Sequence, residues 1–185
     1  MKLILIQGFD KCQKIWIDNI LKYFDLYFND IILFKHTKDM SKIINESDIN
    51  IEADKLNRII NKFDDDYVIF AQTTGIFVAL KLITKTKKKP VKCMFLDIPI
   101  IRARINNISI NKLLKNYDIN TLFIQNKTSP DYELEEIELY LNEQKTKNYN
   151  LVELNTTPES ICDIKTFNYF FRNYMFYLNP IIYKI

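Results

Sequence analysis

Short runs of apolar residues alternate along this chain with longer stretches in which apolar residues recur every three or four positions. The short runs are typical of strands buried on both faces, and the longer spacing is typical of helices with one buried side. The strand-like runs are residues 2–7, 30–35, 67–70, 91–96, 120–124 and 150–154. The helix-like stretches are residues 13–28, 51–63, 75–84, 132–145 and 163–178.

This alternation predicts an α/β fold with a mostly parallel sheet of about six strands and helices on both faces, a three-layer sandwich. The sequence contains no internal repeat, no low-complexity linker and no break in composition. We therefore expect residues 1–185 to form a single domain, a size at which folding buries roughly 70% of the unfolded surface.

The composition is that of an ordinary globular protein, with 48% apolar and 26% charged residues. A net charge of +3 is too small to indicate a nucleic-acid partner. No run approaches the ~18 apolar residues of a membrane span, and the first strand-like run is too brief for the apolar core of a secretory signal. The three cysteines, Cys12, Cys93 and Cys162, are odd in number and lack metal-type spacing. We expect a cytoplasmic protein without a metal or cofactor.

The two glycines of the chain, Gly8 and Gly75, both follow strand-like runs. Glycine tolerates positive φ and lets another segment approach closely, so both positions predict a backbone requirement. Residues 71–75 (AQTTG) have the outline of the G-x-S-x-G nucleophile elbow, with Thr73 in place of the serine. Ala71 and Gly75, two residues on either side, are small, as this strained strand-to-helix turn requires.

Further passages have the order and spacing of one known family. Residues 5–9 (LIQGF) pair a strand with a Gly-aromatic turn and precede Trp16, and residues 67–82 read as strand, elbow and helix. Residues 91–99 (VKCMFLDIP), 120–130 (NTLFIQNKTSP) and 151–160 (LVELNTTPES) read as later strands with their loops. Together these passages resemble the α/β-hydrolase superfamily, in a small form without a cap domain, over nearly the whole chain.

The resemblance implies a site built around residue 73. Thr73 would occupy the nucleophile position, and the backbone N–H groups of Phe9 and Thr74 would form the oxyanion hole. The histidine position would fall at Glu159, and the acid position at Ser129, Asp131 or Asp97.

The chemistry of this triad is degenerate in the sequence. No histidine occurs at residue 159, and an exposed glutamate with a pKa of about 4.3 accepts a proton poorly from an alcohol. The single histidine, His36, follows the second strand, where we expect a surface or loop residue away from the triad. Thr73 is β-branched and more crowded than serine.

Three hypotheses follow. The first is a catalytically impaired or inactive α/β-hydrolase homologue that binds a small acyl ligand or a protein partner. The second is an active carboxylesterase or thioesterase with Thr73 as nucleophile. The third is a degenerate P-loop nucleotide kinase-like protein, because residues 8–15 (GFDKCQKI) resemble G-x-x-x-x-G-K-[ST] with Gln13, Lys14 and Ile15 at its last three positions.

Two further stretches bear on partners and on the pocket. An aromatic stripe in the C-terminal helix, including Phe167, Phe171 and Tyr174, predicts packing against the sheet or a homodimer contact. The segment 102–117, where larger relatives place a lid, is too short for a cap domain. A pocket would therefore be open, or roofed by the apolar residues Ile105, Ile108, Ile110, Leu113 and Leu114.

Overall fold

The six parallel strands predicted from the apolar runs are all present in the computed structural model. It describes residues 1–8, 21–22, 24–25, 27–37, 45–115, 117–129, 133–146, 148–154 and 174. The strands are β1 (Lys2–Ile6), β2 (Asp30–Phe34), β3 (Tyr67–Gln72), β4 (Lys92–Leu96), β5 (Thr121–Asn126) and β6 (Tyr149–Leu154). They form one sheet in the order β2-β1-β3-β4-β5-β6, with every pair parallel.

The strand order changes direction at β1. The chain runs from β1 outward to β2, returns across β1 to β3, and then continues away from β1 to β6. The register around this reversal is regular, since Ile4 of β1 pairs with Ile32 on one side and Ile69 on the other. A reversal of this kind opens a crevice at the carboxyl ends of the two central strands.

Alternate residues of each strand enter two separate hydrophobic cores. Ile4 and Ile69 lie in the core on one face, whereas Leu3, Val68 and Met94 lie in the core on the other, and all five are buried. A strand that is apolar on both faces gives the unbroken apolar runs of the sequence.

Five helices of the described residues send their buried side chains into the first core. They are α1 (Glu46–Ile60), α2 (Gly75–Lys85), α3 (Ile100–Ile105), α4 (Ile110–Leu114) and α5 (Leu134–Glu143). On the second face, Phe24 and Phe28 are buried, and Tyr174, from the C-terminal part of the chain, packs against the second core. Both faces of the sheet are therefore covered, as predicted.

Helix α1 begins at Glu46, five residues before the predicted start at residue 51. The side chain of Asn45 accepts a hydrogen bond from the Asp48 backbone N–H at 2.9 Å, which caps the helix. The apolar spacing indicated the helix only from residue 51 because polar residues fill most of the first turn. Helix α5 is shorter than predicted, since it covers Leu134–Glu143 instead of residues 132–145.

The apolar residues of segment 102–117, expected to roof a pocket unless it is open, are mostly buried in the first core. Ile108, Ile110 and Leu113 are buried in the first core with Leu114, whereas Ile105 is 73% exposed. Helix α4, which carries Ile110, Leu113 and Leu114, packs against α2 and α5. Within the described part of the chain, no helix is both long and apolar enough to cross a membrane.

Most of the predicted C-terminal helix, including Phe167 and Phe171, lies outside the described residues. Tyr174 is described, and its hydroxyl donates to Asn120 Oδ1 at 2.7 Å while its carbonyl accepts from Lys92 Nζ at 2.9 Å. This residue therefore packs on the sheet. The homodimer contact stays a prediction.

The cap of α1 makes a quantitative prediction. Asn45→Ala should lower the free energy of unfolding by about 1 kcal/mol, because the Asp48 N–H loses its acceptor. For a chain of this length that corresponds to a fall of about 2–4 °C in melting temperature. Asn50→Ala, at an exposed position in the same helix, is the control. Equal thermal melts for the two variants would contradict the capping role.

Candidate functional site

The chemistry-bearing residues meet at the carboxyl ends of β1 and β3, where the strand order reverses. Gln7 and Gly8 follow β1, and Thr73 and Thr74 follow β3. Neighbouring parallel strands end at one edge of the sheet, so these two loops face the same crevice. Residues 71–75 are called the elbow below.

The elbow is a tight turn from β3 into α2. Thr73 has φ 44°, in the left-handed region that non-glycine residues rarely adopt. Such a residue costs about 1–3 kcal/mol, and a β-branched side chain is among the least suited to it. The Thr73 N–H donates to the Leu96 carbonyl at 2.9 Å, and the Thr73 carbonyl accepts from the Ile76 N–H at 2.9 Å. Hydrogen bonds on both sides thus hold the turn in place.

The two glycines are required for close approach and not for positive φ, since neither has a positive φ. A Cβ at Gly8 would lie 1.7 Å from Thr73 Oγ1 and 2.1 Å from the Gln72 carbonyl oxygen. A Cβ at Gly75 would lie 2.6 Å from the carbonyl oxygens of both Ile6 and Gln7. Each glycine therefore lets the end of one central strand contact the other, and Thr73 Oγ1 lies directly against the loop after β1.

The small residue before the turn, Ala71, is fully buried and pairs in register with Ile6 and Phe95. Thr74, a predicted oxyanion-hole residue, is 1% exposed and directly precedes α2. Phe9, the other predicted donor, lies outside the described residues.

Asp97 is the acid candidate that the structure brings near the elbow. It follows β4, is 5% exposed, and has a left-handed φ of 57°. Its Oδ1 accepts the Asn126 backbone N–H at 2.7 Å, and its own N–H donates to the Ile124 carbonyl at 2.8 Å. The carboxylate thus ties the end of β4 to the end of β5, one residue from the Leu96 carbonyl that binds Thr73.

The other predicted triad positions lie farther along the chain. Ser129 is partly buried in the turn after β5, where its N–H donates to the Asn126 carbonyl at 3.0 Å. Asp131 and Glu159 lie outside the described residues, as do residues 9–20 with the P-loop-like Lys14.

His36, the single histidine of the chain, lies in the loop after β2, which is one of the two places expected for it. Its side chain is only 6% exposed. The Nε2 atom lies 3.0 Å from the Gln7 carbonyl oxygen, and Nδ1 lies 3.4 Å from Glu52 Oε2. Because a carbonyl oxygen can only accept, Nε2 carries the hydrogen. Both ring nitrogens therefore face groups other than Thr73.

Glu52 anchors this loop from α1, and its side chain is 2% exposed. Its Oε1 accepts the Thr37 backbone N–H at 2.8 Å and also the Thr37 hydroxyl. Burial lowers the pKa of His36 below its usual value near 6.5, while the Gln7 carbonyl and Glu52 act in the opposite direction. The sequence carried a signal for this pair, since Glu52 falls among the apolar helix positions Ile49, Ala53 and Leu56, where a carboxylate needs a partner.

Metal chemistry finds no support in the described residues, which contain no group of three His, Cys, Asp or Glu side chains able to hold an ion. A cavity of about 320 Å³ lies between α3, α4 and α5, and another of about 540 Å³ lies between α2 and α4. Neither is lined by an elbow residue. The elbow crevice is the candidate functional site because the strand order reverses there and Thr73 is held in a left-handed turn against Gly8.

The close approach of β1 and β3 predicts whether an alanine at Gly8 raises or lowers the free energy of unfolding. An alanine at an unstrained glycine position stabilises a protein by about 0.4–1 kcal/mol through the unfolded chain. Gly8→Ala should instead lower the free energy of unfolding by about 2 kcal/mol or more, because its methyl group would overlap Thr73 Oγ1 and the Gln72 carbonyl. Urea denaturation measures the change. A neutral or stabilising result would contradict the described packing.

Comparison with known proteins finds similarity in structure and none in sequence. No family model matches the sequence, and no curated protein matches it.

Solved structures match nearly the whole chain. An esterase of Pyrococcus furiosus superposes with a TM-score of 0.68 at 10% identity, covering 94% of this chain and 83% of its own. A lipase-esterase related protein from Clostridium acetobutylicum gives a TM-score of 0.67 at 15% identity, covering 94% of each chain. An alpha/beta hydrolase from Sphaerobacter thermophilus gives 0.57 at 10% identity, covering 91% of this chain and 92% of its own. At such identities the likeness concerns the fold, and it confirms the architecture expected from the sequence: this chain has the α/β-hydrolase fold.

Proposed function

We propose that this protein is a catalytically impaired α/β-hydrolase-like protein that binds a small acyl ligand at the elbow without turning it over. The proposal rests on the contacts of His36, the single histidine of the chain, whose ring nitrogens both face groups other than Thr73. His36 faces the Gln7 carbonyl with Nε2 and Glu52 with Nδ1. Nucleophilic catalysis by Thr73 would need a base within hydrogen-bond reach of its hydroxyl.

The carboxylates are poor substitutes for that base. Asp97 lies one strand from the elbow, but its Oδ1 already accepts the Asn126 N–H. That hydrogen bond commits one of its carboxylate oxygens to the end of β5. Glu159, at the expected histidine position, has an unperturbed pKa of about 4.3 and would be a weak proton acceptor unless buried.

The backbone geometry of the elbow and of Gly8 is the reason for proposing ligand binding. Thr73 retains the left-handed φ of a nucleophile elbow, and Gly8 retains close contact with it. The eleven-residue helix α2 begins at Gly75, so its positive end faces the crevice and favours a carbonyl or carboxylate oxygen. We propose the backbone N–H groups of Phe9 and Thr74 as the donors to that oxygen.

The impaired state predicts an absence of turnover. Incubation with p-nitrophenyl acetate and butyrate should release nitrophenol no faster than the Thr73→Ala variant does, and a fluorophosphonate probe should leave the protein unlabelled. Thr84→Ala, which removes an exposed hydroxyl near the end of α2, is the matched control for non-specific reaction. Turnover or labelling that Thr73→Ala abolishes and Thr84→Ala spares would refute the proposal.

An active carboxylesterase or thioesterase is the second candidate, and the strained φ of Thr73 favours it. Strain of about 1–3 kcal/mol persists where the surrounding structure enforces it, often at reactive residues. Thr73→Ser combined with Glu159→His should restore a nucleophile and a base, and raise esterase activity by at least about 100-fold. Each single variant is the control for the pair. If the double variant is as slow as wild type, the assignment of residue 159 to the histidine position is wrong.

The P-loop reading stays a prediction, because Lys14 lies outside the described residues. The contact of Gly8 with Thr73 accounts for that glycine without a phosphate ligand. A rise in melting temperature with ATP would support a P-loop protein, and no change would support the α/β-hydrolase-like alternatives.

A further inference from the structure

A continuous line of contacts joins helix α1 to the elbow through the single histidine. Glu52 lies against His36 Nδ1, and His36 Nε2 donates to the Gln7 carbonyl. The same carbonyl oxygen lies so close to Gly75 that a Cβ there would be 2.6 Å away. The next residue, Gly8, touches Thr73 Oγ1. The Gln7 peptide is thus held between the imidazole on one side and the elbow on the other.

We propose that His36, in a loop that Glu52 anchors through Thr37, is a positioning residue that fixes the backbone of Gln7 and Gly8 against the elbow. The proposal rests on the proposed function only in assigning a ligand to this crevice. It gives the histidine a part in the site that does not involve proton transfer to a substrate.

The hydrogen bond from the imidazole stabilises the present orientation of the Gln7 peptide. The contact is partly buried, and a buried carbonyl oxygen that loses its donor costs about 1–3 kcal/mol. A rotation of the Gln7 peptide toward solvent would relieve that cost, but it would also move Gly8 away from Thr73. The hydrogen bond from His36 keeps the peptide in the orientation that lets Gly8 contact Thr73.

Glu52 holds the loop that carries the ring. Its Oε1 accepts two hydrogen bonds from Thr37, the residue after His36. On the other side, the His36 ring meets the Phe34 ring edge to face, with centroids 4.9 Å apart. The ring therefore has one orientation, in which Nε2 points at Gln7.

The groups around the ring also set its response to pH. Glu52 and Lys55 face it from α1, and the Lys55 ammonium donates to the Lys35 carbonyl and lies over Phe34. Burial lowers the pKa of His36, so the folded state favours the neutral ring. The contribution of the neutral ring to stability is therefore present above about pH 6.5 and is lost as the pH falls through the lower pKa of the folded state.

The composition of the chain makes this proposal easy to test by NMR. Glycine occurs twice and histidine once. Labelling with ¹⁵N-glycine and ¹⁵N-histidine therefore yields two glycine amide peaks, one from each side of the crevice, together with the backbone amide and the imidazole of His36. We expect the ring to carry its hydrogen on Nε2 at pH 7.5, with a titration midpoint below 6.5.

Three variants separate positioning from general stability. His36→Phe removes the donor and should shift both glycine peaks. His36→Gln can still donate from its amide to the Gln7 carbonyl, and should keep the Gly8 peak near its wild-type position. Tyr67→Phe is the matched control, because Tyr67 also makes a partly buried hydrogen bond to a backbone carbonyl, that of Lys88 at 2.6 Å, at the opposite end of the sheet. It should lower stability without moving either glycine peak.

A ring protonated on Nδ1 alone at pH 7.5 would overturn the proposal, because Nε2 could not then donate to Gln7. Unchanged glycine peaks in His36→Phe would overturn it as well. If His36→Phe does not fold, the wild-type tautomer and the Gly8 peak of His36→Gln still decide. These readouts involve neither ligand nor turnover, so detected esterase activity would refute the proposed function while leaving the positioning role intact.

Discussion

The close contact between the ends of β1 and β3 is the constraint on which the site depends. Thr73 Oγ1 occupies space that a Cβ at Gly8 would need, and the carbonyl oxygens of Ile6 and Gln7 occupy the space beside Gly75. This packing is possible because Thr73 adopts φ 44° and both glycines lack a side chain. The two strands can therefore end side by side and form the crevice at the point where the sheet order reverses.

Two properties usually occur together in a hydrolase site: a tight turn at the nucleophile, and side chains that transfer its proton. The turn depends on the backbone, and it accommodates a threonine at residue 73. Proton transfer depends on side chains, and the single imidazole lies against the Gln7 carbonyl with Nε2 and faces Glu52 with Nδ1. A chain that keeps the first property and has redirected the second would retain a binding crevice with little catalytic power, which is why we favour a binding role.

The fold and the elbow could be predicted from the sequence because they depend on local patterns. Strands buried on both faces give unbroken apolar runs, and Ala71 and Gly75 identify the turn. The His36–Glu52 pair was missed because it joins a loop to a helix sixteen positions farther along the chain, and no local pattern specifies that distance. Of the two backbone requirements that glycine can meet, the structure shows close approach at Gly8 and Gly75. The positive φ occurs at Thr73 instead. The start of α1 depended on a cap at Asn45, which apolar spacing does not report.

The surroundings of the Thr73 hydroxyl test the central claim most directly. A crystal structure determined after soaking with a short-chain carboxylate would show the φ of Thr73 and the partners of both His36 nitrogens in one experiment. The account predicts a positive φ at Thr73, with His36 Nε2 within hydrogen-bond distance of the Gln7 carbonyl. An imidazole nitrogen within hydrogen-bond distance of Thr73 Oγ1, or a Thr73 in right-handed helical conformation, would contradict it.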